Sequence, residues 1–95
     1  MKVRFTPSAR GHFLDAITYI ATDKPKAARR FRTRCHETLK RLVRFPNSGH
    51  KIPEFPELPH RQVIEAPLRF FYRVDGKVVW IVAVWHDKQI PVVPE

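Results

Sequence analysis

Arg69-Phe70-Phe71-Tyr72-Arg73-Val74-Asp75-Gly76-Lys77-Val78-Val79-Trp80-Ile81-Val82-Ala83-Val84-Trp85-His86 is the stretch on which the fold turns. Two runs rich in β-branched and aromatic residues flank Asp75-Gly76. A dipeptide of that kind between such runs predicts a two-residue hairpin turn in which both positions take positive φ. That turn sets Arg73 opposite Val78, Phe71 opposite Trp80 and Arg69 opposite Val82. Side chains alternate along a strand, so Arg69, Arg73 and His86 are expected on one side, over a floor of Phe71, Trp80 and Val82. His86 then stands about 13 Å along the strand from Val82, and a long substrate would touch both Arg69 and His86.

Working outward, Arg61 to Ala66 reads as a further strand, with a turn at Pro67-Leu68. Pro46 to Pro59 holds four prolines and one glycine, which predicts an irregular connection with little freedom. Before it, Ala28, Phe31, Cys35, Leu39 and Leu42 fall three or four residues apart and give a helix one apolar stripe. That helix stops near Phe45, because Pro46 disfavours helical geometry at the residue before it. Ala9, Phe13, Ala16, Ile17, Ile20 and Ala21 mark an earlier helix, capped by Thr6 with Pro7 at its first position. Asp23-Lys24-Pro25 is too short a link for anything but an antiparallel helical hairpin. Val3 and Phe5 alternate with charged neighbours, as in a short strand. The expected fold is α+β: an N-terminal strand, a helical hairpin, then a three-strand antiparallel meander whose one face the helices cover. The tail, Gln89 to Glu95, reads as an extended edge, a docking strip or a loosely attached terminus.

Length limits the rest. Ninety-five residues, 43% of them apolar, predict one domain over residues 1–95 with one modest core. The charged residues from Met1 to Phe5 are unlike a signal peptide, and the longest apolar run, Val78 to Trp85, is too short to span a bilayer. A single cysteine cannot form an internal disulfide and suits a reducing cytoplasm. Lys and Arg total 18 against 9 Asp and Glu, a formal net charge of +9. Such an excess attracts polyanions: nucleic acid, ribosome, acidic protein or anionic membrane. Nine of these cations, including Arg29, Arg30, Arg34 and Arg41, fall between Lys24 and Arg44, where Glu37 is the only acid. Like charges three and four apart repel, so this helix face is expected to meet an anion.

A reaction on RNA would need a base for the 2′-hydroxyl, an acid for the leaving oxygen and a cation at the phosphate. His86 or Glu54 has the chemistry to move protons, and Arg69 to hold a phosphate in a bidentate grip. The histidines at 12, 36, 50, 60 and 86 have no paired-ligand spacing, and there is no phosphate-binding glycine loop, so neither metal nor cofactor is expected. Cys35, in an apolar stripe, belongs to a core.

Several blocks resemble the RelE/ParE toxin superfamily: Val3-Arg4-Phe5-Thr6-Pro7-Ser8-Ala9, Ala27-Ala28-Arg29-Arg30-Phe31, Phe45-Pro46-Asn47-Ser48-Gly49 with Ile52-Pro53-Glu54, and the hairpin from Arg69 to His86. The resemblance implies a compact toxin held in a hetero-oligomer by a cognate antitoxin; the basic helix face, with Arg29, Arg30, Arg34 and Arg41, is the expected partner-binding surface. It implies one of two kinds of target, for which Arg61, Arg73 and Lys88 are the candidate contacts. RelE-like and YoeB-like members cleave mRNA in the ribosomal A site, and the matching catalytic positions here are Glu54, Arg69 and His86. ParE-like members poison DNA gyrase. Asp87 stands where a nuclease is helped by tyrosine, and Lys88 alone remains of the basic cluster of many relatives. The loop and hairpin blocks are the more ParE-like, so gyrase ranks ahead of mRNA.

Overall fold

The computed structural model describes residues 1–94. In chain order the elements are β1 (Lys2–Phe5), α1 (Pro7–Asp23), α2 (Pro25–Arg44), β2 (His50–Lys51), β3 (Arg61–Glu65), β4 (Leu68–Asp75) and β5 (Val78–His86). Thr6 caps α1 as its residue type predicts: Oγ1 accepts from the Ala9 amide at 3.3 Å, and Pro7 supplies the preset first turn. Pro25 likewise supplies the first turn of α2, whose N-cap, Lys24, makes no side-chain capping bond.

The meander forms, but within a larger sheet than expected. The order is β1-β5-β4-β3-β2. β1 pairs parallel to β5, with Lys2 opposite Val78 and Phe5 opposite Ile81, and the two-residue β2 adds to β3 antiparallel. The helical hairpin is the crossover that lets β1 lie parallel to a strand far along the chain.

Both helices cover one face of this sheet. There Phe13, Phe31, Leu39 and Leu42 pack on Leu68, Phe70, Tyr72, Val79, Ile81 and Val84. Cys35 sits fully buried among them, and burial pushes its thiol up to about 12. The opposite face carries a smaller cluster of Ile52, Phe71, Val82 and Ala83, flanked by Phe55, Trp80 and Trp85. Ile52 and Phe55 come from the proline-rich connection, which is therefore a cover for the second face and not merely a link.

The decisive hairpin departs from its expected register twice. Asp75 pairs with Val78, so the turn residues are Gly76 and Lys77, not Asp75 and Gly76. Gly76 has φ 59° and, among the described residues, no non-glycine residue has positive φ, which makes this a type II′ turn. Arg73 accordingly faces Trp80. The second departure is a β-bulge: Tyr72 pairs with Ile81 but Phe71 with Ala83, leaving Val82 as the extra residue on β5. One inserted residue reverses which side every later side chain takes. Arg69 lies opposite Trp85 and Leu68 opposite His86. The expectation that His86 shares the side of Arg69 and Arg73 is overturned, because plain alternation fails at Val82.

Candidate functional site

The loop-covered face of β3 and β4 gathers the best-defined polar constellation. Arg69 rises from β4 beside Phe71, its guanidinium carbon 5.1 Å from that ring's centre. Glu54 reaches it from the proline-rich loop in a bidentate pair, Nη1 to Oε2 at 2.9 Å and Nη2 to Oε1 at 2.7 Å. Nε donates to Gln62 Oε1 on β3 at 2.8 Å. Each partner raises the other's charged fraction. The hydrogen bond from Arg69 holds the Glu54 carboxyl below its usual range, and the same bond raises Arg69 further above its own.

Chemically, this pair is closed on itself. A carboxylate made less basic by a guanidinium is a poorer general base, and a guanidinium occupied by a carboxylate and an amide has few donors left for phosphate. The structure brings Glu54 and Arg69 together, and leaves His86 on the helix side of the sheet. There His86 lines a groove of about 500 Å³ with Ala16, Tyr19, Ile20 and Leu68. Its Nδ1 lies 2.8 Å from Asp87 Oδ1 and 3.2 Å from the Lys88 amide nitrogen. One nitrogen serves one of these at a time: protonated, it donates to Asp87; bare, it accepts from Lys88.

The other expected contacts divide into bound and open cations. Arg61 donates to the Gly49 carbonyl at 3.0 Å, and Arg73 approaches Asp75 at 3.4 Å. Lys88 is exposed just past β5. On α2, Arg41 donates to Thr38 Oγ1 at 3.2 Å, Thr38 donates to Glu65 Oε1 at 2.8 Å, and Arg34 lies 3.7 Å from the other oxygen of Glu65. Arg34 and Arg41 thus help fasten α2 to β3, while Arg29 and Arg30 are exposed with no ion pair among the described residues. Beside Arg41 a groove runs past exposed Phe45 and Ile64.

Residue types alone did not single out Tyr72, Gly49, Gln62, Thr38 or Glu65. Tyr72 is buried; its hydroxyl donates to the Pro46 carbonyl at 2.7 Å and accepts from the Gly49 amide at 3.0 Å. That close approach demands glycine, since a Cβ at position 49 would stand 2.6 Å from the hydroxyl and 2.7 Å from the Gln62 carbonyl. A polar-tipped aromatic at an inward strand position was the one available signal. Among the described residues there is no helix long and apolar enough to cross a membrane and no cluster able to hold a metal.

A helical hairpin laid on one face of a five-stranded mixed sheet, with a strongly basic second helix, is the arrangement to compare with known structures. The chain superposes on one from a solved structure described as the chromosomal ParDE TA system from P. aeruginosa, with a TM-score of 0.73 and 23% identity over 90% of this chain and 95% of that one. No curated protein matches it in sequence. Residues 3–91 match the family described as the ParE toxin of the type II toxin–antitoxin system, parDE, and the chain belongs to that family.

Proposed function

We propose that the chain is the toxin of a type II pair, that it arrests growth by binding and poisoning DNA gyrase, and that a cognate antitoxin neutralises it. The observation that carries this reading is the bulge at Val82, which sets His86 on the opposite side of the sheet from the Glu54–Arg69 pair. Acid–base cleavage of RNA needs its proton carriers and its phosphate grip around one bond. Poisoning by protein contact needs only a complementary surface. Arg73, Lys88 and the exposed tail residues Ile90, Val92 and Val93 supply cationic and apolar contacts for one. Membership of the ParE family supports the same choice.

The antitoxin's place is proposed along α2 and the free part of β3. Phe45 and Ile64 offer apolar anchors there, and Arg29, Arg30, Arg34 and Arg41 attract an acidic segment. A cytoplasmic site of action follows from the target. The test is supercoiling of relaxed plasmid by purified gyrase with increasing toxin. Inhibition with accumulation of cleaved DNA, reversed by the antitoxin, is expected. Full supercoiling at a large molar excess of toxin would overturn the reading. Primer extension on translated mRNA covers the other target: A-site cuts lost in Arg69→Ala or His86→Ala would establish ribosome-dependent cleavage instead.

A further inference from the structure

At the far edge of the sheet, remote in the strand order from β3, a concavity of about 410 Å³ opens beside β1. Arg4 of β1, Arg10 of α1 and Arg32 of α2 all line it, with His36, Phe13 and Trp80. No acidic residue among the described ones does. Among the described residues none of these three guanidiniums has a carboxylate within ion-pair distance. Arg32 is steered into place: its Nε donates to His36 Nε2 at 3.4 Å, and the His36 ring stands edge-on to Phe13 at 5.8 Å.

Three like charges from three separate elements repel one another, and folding draws them together without an internal counter-ion. Guarding a sheet edge against strand addition explains Lys2 and Arg4 on β1. It does not explain Arg10 and Arg32, which come from the helices. A ligand that brings the missing negative charge explains all of them.

We propose that this cavity binds a phosphate group, held by Arg4, Arg10 and Arg32 with His36 positioning Arg32. A phosphate dianion offers three oxygens to separate guanidiniums, whereas a carboxylate offers two and a single charge. The volume suits a ligand of nucleotide size, and Phe13 and Trp80 supply apolar walls for the remainder. The phosphate comes either from a free nucleotide or from the phosphorylated end of a nucleic-acid strand. The cavity shares no lining residue with the Glu54–Arg69 pair or with the residues assigned to gyrase and antitoxin, so variants of its own arginines test it apart from them.

Calorimetric titration of the purified chain tests it, with adenosine monophosphate and with a short single-stranded oligonucleotide carrying either a 5′-phosphate or a 5′-hydroxyl. Saturable binding of one equivalent is expected, weakened about tenfold or more by Arg32→Gln and by Arg4→Gln. Arg29→Gln and Arg30→Gln remove the same charge from α2 outside the cavity and should leave affinity within about twofold. Binding of the mononucleotide identifies a free ligand, and binding of the 5′-phosphorylated strand alone identifies a strand end. Three results would each overturn the proposal: no saturable binding, equal loss in the Arg29 and Arg30 variants, or equal affinity for the 5′-hydroxyl strand. Thermal melts of each variant confirm that the fold is retained.

Discussion

On the helix side of the sheet, buried residues from both helices and from β4 and β5 form one continuous apolar cluster. On the loop side the buried apolar residues are Ile52, Phe71, Val82 and Ala83, and the layer is completed by the Glu54–Arg69–Gln62 set, while Tyr72 from the helix-side core bonds the loop backbone at Pro46 and Gly49. The first face draws its stability from apolar area, which is insensitive to pH and tolerant of small shifts. The second depends on directed polar bonds, which fix a loop in one place but contribute less per residue. Functional variation is therefore cheaper on the loop side, where changing a residue does not open the main core.

The comparison predicts a graded response to substitution. Phe70 is fully buried and meets Phe13 edge-on at 5.6 Å. Phe70→Ala should cost roughly 3–5 kcal/mol in chemical denaturation. A loss below that of Ile52→Ala on the other face would break the ranking. Tyr72→Phe strands the Gly49 amide and the Pro46 carbonyl while keeping the ring. About 1–3 kcal/mol is expected, with faster proteolysis confined to the loop after α2. Uniform destabilisation with an unchanged cleavage pattern would show that the hydroxyl does not hold the loop.

Glu54→Gln should have the smallest effect, about 0.5–1 kcal/mol at neutral pH, because the carboxylate is partly exposed and screened. Its sign with pH is fixed. Glu54 has a folded-state pKa below its unfolded value, so its contribution is complete above the unfolded value. It is lost as pH falls through the lowered folded one. Wild type and Glu54→Gln should thus converge in denaturation midpoints under strongly acidic conditions. A gap that widens on acidification would contradict the pairing with Arg69. Phe70→Ala should show the same deficit at both pH values, which sharpens the contrast between the faces.

The helices were legible because their caps and stripes are local: Thr6-Pro7, Pro25, and the spacing of Phe31, Cys35, Leu39 and Leu42. The hairpin was legible as a hairpin, since a glycine between two β-rich runs leaves few alternatives. Its register was not. Asp75-Gly76 favours one turn in isolation, but pairing of the flanking strands selects Gly76-Lys77 instead. The bulge left no trace, because Val78 to Val84 is apolar throughout and offers no polar marker to show on which side each residue falls. For the same reason Arg69 and His86 were placed together on paper and apart in space. Glu54 was singled out for its chemistry, whereas its partner lies fifteen positions away and across a loop whose path only tertiary packing decides. Tyr72 and Gly49 share that handicap: each looks ordinary until the other is beside it.

The extra residue at Val82 also constrains how this chain can change length. Were it alone deleted, Ala83, Val84 and Trp85 would keep their partners on β4; were Ala83 lost with it, Trp85 would swing toward the helices and Val84 away from them. An indole would then have to enter space now filled by a valine, against Leu68 and Phe70. β5 can thus spare its one extra residue and no second, for reasons of volume, and any further loss that homologous chains accept should fall in the loops on either side of it.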